Sequence, residues 1–277
     1  MRLKIPKEKY DEIIDLYQNG MSLEKIGLKY DASRHAIKTV LNKMGVQTRD
    51  DSHKGRKYTI NENYFDEIDT PNKAYILGLL YADGCNHRET NHVNLELQER
   101  DKDILDKIKV ELETNKPLYL NELNKRSDQW QNTYRLNICN KHISETLEEK
   151  GVVPRKSLIL EFPEWLPDEF LSHFLRGYMD GDGHIQCFTC RNASFASTEN
   201  FCLAVQKRLN NIGIESHIHN TQNKENSTRI LYIFKISNII KFLDYIYKDA
   251  ELYIQRKYDA YQTFLEETKN TNNSLSA

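Results

Sequence analysis

The chain has 277 residues, 39% of them hydrophobic, enough for one large core or two smaller ones. It contains no run of 18 apolar residues and no apolar stretch near its start, so neither a membrane span nor a signal peptide is expected. Five cysteines, an odd number, suit reduced thiols better than a disulfide framework and predict a cytoplasmic or organellar protein that is not secreted. The net charge of −2 hides an asymmetry. Residues 1–60 hold 13 Lys/Arg against 8 Asp/Glu, a surplus of +5, and the remainder holds 26 against 33, a deficit of 7. A basic N-terminal segment points to a polyanion, whereas any nucleic-acid surface in the acidic remainder must rest on local clustering.

The first predicted helix covers residues 10–18, with Ile13, Ile14 and Tyr17 at helical spacing and Gly20 as its stop. Ser22 caps a second helix that runs to Tyr30. Asp31 and Ala32 form a short turn, and Ser33 caps a third helix with an apolar stripe of Ile37, Val40, Leu41 and Met44, ended by Gly45. Two helices joined by so short a turn predict a helix-turn-helix domain over residues 1–46. The open face of its third helix carries Arg34, His35, Lys38, Thr39 and Asn42, side chains that donate to phosphates and base edges. The alternative is a plain three-helix bundle with a solvated face. Residues 47–70 read as a linker, and its basic run with Lys54, Arg56 and Lys57 either follows phosphates or stays solvated.

Beyond the linker lies an internal repeat of about one hundred residues. An apolar helix that closes on Ala82, Asp83 and Gly84 recurs as one that closes on Gly181, Asp182 and Gly183. Residues 134–138 are matched with 232–236, and Arg155 and Lys156 with Arg256 and Lys257. Each half reads helix, two strands, helix, two strands, helix. Strand alternation is clearest where Val93, Leu95 and Leu97 face one way and His92, Asn94, Glu96 and Gln98 the other. The expected fold class is α+β: two pseudo-symmetric αββαββα repeats, residues 71–153 and 154–267, in one domain, followed by a disordered polar tail over 268–277.

The repeated helix ends carry the chemistry. Gly78 and Gly177 each stand five residues before an aspartate, where a small residue lets two helices approach. Ala82 and Gly181 keep the contact tight beside the acids, so Asp83 and Asp182 are expected side by side. Two carboxylates at helix C-termini face the negative ends of the dipoles and repel each other, which raises one pKa. A cation between them relieves both, and hard oxygen ligands select Mg²⁺ or another divalent ion such as Mn²⁺. Asp83, Asp182, Ala82 and Gly181 form this expected metal site. A single Asp-Gly is a common helix-ending turn; two at matched spacing in a repeat are not explained that way.

Residues 76–84 and 175–183 resemble the LAGLIDADG signature. The second matches it at Leu175, Gly177, Asp180, Asp182 and Gly183, and the first has Tyr81 where the earlier acid usually stands. The resemblance covers about residues 74–266. It implies a homing endonuclease: a monomer that hydrolyses phosphodiesters with a divalent metal and makes a staggered double-strand break with 3′ overhangs. Its double-stranded DNA target would be long and asymmetric, its sheets would form a DNA-binding saddle, and its gene would be a mobile element.

The family also uses a basic residue near each scissile phosphate. Lys156 and Lys257, at equivalent places, are candidates, with Lys235 on a strand as a third and Gln98 as a residue that orders water. The implied DNA-reading set is His87, Arg88, His92, Asn94, Arg135 and Asn137 in the first half. In the second it is His184, Gln186, Arg191, His217, His219 and Arg229. Cys187 and Cys190 would point to opposite faces of a strand, so no zinc site is expected. An RNA maturase and a non-enzymatic regulator joining such repeats to a helix-turn-helix are the alternatives; the retained acid pair favours cutting.

Overall fold

The computed structural model describes residues 5–48, 57–125, 127, 129–220 and 228–275, so the predicted Lys54 and Arg56 lie outside the described residues. The chain divides into two compact units, Met1–Lys57 and Tyr58–Ala277.

The first unit holds α1 (Tyr10–Gln18), α2 (Leu23–Lys29) and α3 (Arg34–Lys43). Ser22 Oγ accepts the Lys25 N–H and Ser33 Oγ accepts the Ala36 N–H, so both predicted N-caps form. Ile13, Tyr17, Leu23, Ile26, Ile37, Val40 and Leu41 make its core. Met44, expected to end the stripe of α3, is the helix's C-cap residue and 46% exposed.

The second unit begins earlier than the sequence suggests. Residues 58–70 are not linker: Tyr64, Phe65 and Ile68 are buried in the main core, the Tyr64 hydroxyl donates to Glu111 at 3.0 Å, and the Asn61 N–H bonds the Leu112 carbonyl. Three large apolar side chains in a polar stretch suffice to dock it.

Two copies of one pattern follow. The first is α4 (Pro71–Asp83), β1 (Gly84–His87), β2 (His92–Gln98), α5 (Lys102–Glu111), β3 (Tyr119–Asn121), β4 (Thr133–Cys139) and α6 (Lys141–Glu149). The second is α7 (Leu171–Asp182), β5 (Gly183–Gln186), β6 (Asn192–Thr198), α8 (Glu199–Asn211), β7 (His217–Asn220), β8 (Thr228–Ile233) and α9 (Ile236–Tyr247), after which α10 (Gln255–Leu275) closes the chain. The strands form two antiparallel sheets, ordered β1-β2-β4-β3 and β5-β6-β8-β7. The α+β class and the doubled αββαββα unit are as expected.

Two expectations are corrected here. Leu95 pairs with both Gly84 and Leu136, and Phe195 with both Gly183 and Leu231, so Leu136 corresponds to Leu231. The predicted match of 134–138 with 232–236 is three residues out of register. β8 stops at Ile233, and Ile236 opens a helix. The predicted disordered tail, in turn, belongs to α10 as far as Leu275, and Thr268 is buried with its hydroxyl donating to the Phe264 carbonyl at 2.8 Å. Among the described residues no helix is long and apolar enough to cross a membrane.

What positions the site is the packing of α4 against α7. A Cβ on Gly78 would stand 2.0 Å from the Phe174 carbonyl oxygen, and one on Gly177 would stand 2.0 Å from that of Tyr75. The two backbones touch, and nothing larger than hydrogen fits. From Ala74 to Tyr81 every side of α4 is buried, which explains why that stretch is apolar all round. Gly177→Ala is therefore expected to destabilise the fold by about 1–3 kcal/mol, because the overpacking against backbone outweighs alanine's helix preference of roughly 1 kcal/mol. Urea unfolding of the variant measures the balance.

Candidate active site

Helices α4 and α7 end together. A Cβ on Gly181 would lie 2.4 Å from the Ala82 Cβ and 2.8 Å from Asp83 Oδ2, so the Asp83 carboxylate rests against the glycine that precedes Asp182. The predicted juxtaposition of the two acids is thus present, and Gly78, Gly177, Ala82 and Gly181 are the residues that permit it. Asp83 is half-buried. Asp182 is reached by solvent at a cleft of about 260 Å³, which Tyr81, Ala82, Lys156, Tyr178 and Ser197 also line.

Each half adds a lysine. Lys156 opens a short 3₁₀ turn, and its Nζ donates to the carbonyls of Ala82 at 2.8 Å and Gly84 at 2.6 Å, on either side of Asp83. Lys257, in the first turn of α10, donates to the carbonyls of Met179 at 3.2 Å and of Gly183. Burial, then the charge of Asp182, pushes Asp83 up to about 6 against the pull of Lys156, Lys257 and Arg256. Burial likewise raises Asp182, and both lysines oppose it. Lys156 is lowered by burial, and Lys257 falls to about 8 through burial and then the neighbouring Arg256.

These donors suit a divalent cation. Neither carboxylate accepts a hydrogen bond from any described residue, so both keep free oxygen lone pairs beside a like charge. Among the described residues no group of three or more His, Cys, Asp or Glu forms a closed cage. Two carboxylates with positions left for water and phosphate oxygens match Mg²⁺ better than a structural ion. The Ala82 carbonyl, expected in the metal site, is engaged by Lys156 instead, so the fit rests on Asp83 and Asp182.

Residues 169–247 match the model of the LAGLIDADG-like domain, and residues 72–134 match that of the WhiA LAGLIDADG-like domain. The chain carries two LAGLIDADG-like domains. Among solved structures it is similar to the I-LtrWI LAGLIDADG homing endonuclease bound to target DNA, at 14% identity over 76% of this chain and 92% of that one, TM-score 0.47. Full-length DUF199/WhiA from Thermatoga maritima is 17% identical over 78% and 69%, TM-score 0.46. I-DmoI in complex with DNA and Mn is 14% identical over 69% and 99%, TM-score 0.44. No curated protein sequence matches the chain.

The two LAGLIDADG-like domains differ at a matched strand end. Gln98 and Thr198 stand at the same place, three residues beyond the paired Leu95 and Phe195. Gln98 Oε1 is buried without a partner. Thr198 Oγ1 instead donates to the Leu160 carbonyl and accepts the Phe201 N–H that opens α8. Lys235 is not on a strand: it precedes α9 and pairs with Glu215 at 2.6 Å rather than with the acids. Arg256, which the sequence reading left aside, lies close enough to act on Asp83 and pairs with Asp101 at 2.9 Å.

On the first sheet His92, Asn94, Arg135 and Asn137 share one face, with Asn94 opposite Asn137 and Arg135 opposite Glu96, to which it is paired at 2.6 Å. His87 ends β1, exposed. Arg88 lies beyond the strand in a 3₁₀ turn and is paired with Glu145 at 3.2 Å and with Glu148, both on α6. On the second sheet His184, His217 and His219 are exposed and Gln186 is half-buried. Arg229 shares a face of β8 with buried Leu231 and Ile233, opposite to that of His217 and His219, and pairs with Glu199 at 2.9 Å. Arg191 precedes β6 and donates to the Cys187 carbonyl at 2.9 Å. Cys187 is buried and Cys190 exposed, both free thiols. Unforeseen on this sheet is a ring cluster in which Tyr232 and Phe234 stack 5.2 Å apart beside His217 and His219. In the first unit Arg34, His35, Lys38, Thr39 and Asn42 are all exposed, and Lys57 stands at the unit boundary.

Proposed function

We propose that this protein is a divalent-metal-dependent DNA endonuclease that cuts both strands of a long asymmetric duplex site. One observation carries the reading: two adjacent carboxylates at touching helix ends, neither hydrogen-bonded by a described residue, with Lys156 bound to the carbonyls around one and Lys257 to those around the other. Asp83 and Asp182 would hold the cation, which would supply Lewis-acid stabilisation of a phosphodiester's developing charge. The chain's own groups do the rest. Lys156 and Lys257 fix the peptide carbonyls around each acid and place positive charge at the cleft. The open sheet faces offer Asn94, Asn137, His92, His184 and Gln186, whose amides and imidazoles read base edges. Two domains in one chain supply both half-sites, so the working form is a monomer.

The test is incubation with a randomised duplex library in Mg²⁺, followed by sequencing of the cut ends, with EDTA and Ca²⁺ as controls. The expected result is one recurrent site with 3′ overhangs, bound but uncut without Mg²⁺. Cutting at full rate in EDTA sinks the proposal. A second reading, a DNA-binding regulator that does not cut, is favoured by the match of residues 72–134 to the WhiA domain; binding with no cutting in any divalent metal selects it.

The first unit is proposed to be a helix-turn-helix module that adds affinity. Removal of residues 1–57, which takes away the whole basic surplus of +5, is expected to weaken target binding by about tenfold or more, flatten its salt dependence and leave the cut phosphates unchanged. A footprint of unchanged length with unchanged affinity turns the module into a candidate for a protein partner.

A further inference from the structure

The earlier acid of the second motif does something the first motif does by other means. Asp180 is fully buried and accepts three hydrogen bonds: from the hydroxyls of Tyr75 at 2.8 Å and Tyr247 at 2.6 Å, and from the backbone N–H of Ile254 at 2.7 Å. Ile254 directly precedes α10, and its carbonyl in turn accepts the N–H of Lys257 at 2.9 Å. One turn below Asp180, Arg176 is also fully buried; it donates to the carbonyls of Ile246 at 2.9 Å and Leu252 at 2.8 Å. The segment between α9 and α10 is thus strung along side chains of α7, and its last tether lies three residues before the active-site lysine.

The first domain has neither charge. Tyr81 stands at the place of Asp180 and Leu77 at that of Arg176. The Tyr81 hydroxyl reaches only the Lys150 carbonyl at the end of α6, six residues before Lys156, and the chain beyond is a 3₁₀ turn with Leu158 and Ile159 exposed. Lys257 is 7% exposed in a regular helix, while Lys156 sits in this looser turn.

Burying an ionised carboxylate and a guanidinium is costly, and apolar residues of similar volume often serve stability as well. Stability alone therefore does not account for the pair. We infer that Asp180 is a positioning residue for one half of the site: by holding Ile254 it fixes the first turn of α10 and so the reach of Lys257, while the first half relies on Tyr81. The part of this inference that concerns strand cutting rests on the endonuclease reading; the tether itself does not.

The test is backbone hydrogen exchange, read by mass spectrometry on the full chain, for Asp180→Ala, Asp180→Asn and Tyr81→Phe. Asp180→Ala should speed exchange at least tenfold in residues 250–258 and leave 150–158 and α4 unchanged. Asp180→Asn, which keeps one acceptor oxygen, should show a smaller change in the same segment and serves alone if the alanine variant fails to fold. Tyr81→Phe should act on 150–158 and not on 250–258. On a duplex target with each strand labelled, Asp180→Asn should slow one strand's cut about tenfold and spare the other. Exchange that rises equally in both halves makes Asp180 a residue of general stability and overturns the inference, as does no change in 250–258. If the protein cuts no DNA, the exchange result still decides the tether, so the two failures are separable.

Discussion

If the protein is the proposed endonuclease, Asp83→Asn or Asp182→Asn is expected to lower double-strand cleavage about a thousandfold or more and to change target affinity only a few-fold. The substitution keeps the shape of the side chain and removes the charge that a divalent cation needs. It leaves intact the bonds from Lys156 to the carbonyls of Ala82 and Gly84, and from Lys257 to those of Met179 and Gly183, so the geometry around each acid persists. In the proposed reading, affinity is made elsewhere, over phosphates and base edges along two sheets. Single-turnover cutting in Mg²⁺, with gel-shift binding in Ca²⁺, separates the two quantities. Near-wild-type cutting by either variant would remove that acid from the site, and a matching collapse of binding would make it a folding residue.

The features legible in the sequence are those fixed by the backbone. Gly78 and Gly177 are demanded by helices whose main chains touch, so their spacing from Asp83 and Asp182 survives in both halves and marks the repeat. The caps Ser22 and Ser33 act within three residues and were equally plain. Features that depend on distant partners were not. Arg88 and Arg229 read as DNA contacts until Glu148 and Glu199, sixty and thirty residues away, are found beside them. The register of β8 is off by three because residues 230–234 are apolar without a break, so either face can be read as the inner one, and only pairing with Phe195 fixes it. Tyr64, Phe65 and Ile68 were hidden by polar neighbours. Asp180 carried a signal that was passed over: an acid and an arginine inside an otherwise buried helix call for partners, and theirs lie in α4, in α9 and in the segment before α10.

Without divalent cations, Asp83→Asn is expected to be more stable than the wild type at pH 7.5, with the difference closing by about pH 4. In the fold Asp83 titrates near 6, above its ordinary value of 3.8. A carboxyl raised in this way is neutral in both states below the ordinary value, so there it costs nothing. As pH rises through about 6 the unfolded chain is already ionised, and the folded protein must ionise Asp83 against burial and Asp182, which removes stability. Two pKa units correspond to roughly 3 kcal/mol, and partial access to solvent and sharing with Asp182 bring the expected difference to about 1–3 kcal/mol. Carboxyls remote from the site titrate alike in both proteins and cancel in the comparison. Urea unfolding in EDTA at pH 4, 6 and 7.5 reads the difference directly. Adding Mg²⁺ at pH 7.5 should reverse the order, since a cation that binds only the folded wild-type site stabilises it by mass action and finds a weakened site in the variant. A variant less stable than the wild type at every pH would mean that Asp83 already has a partner in the fold, and the case for a cation there would fall with it.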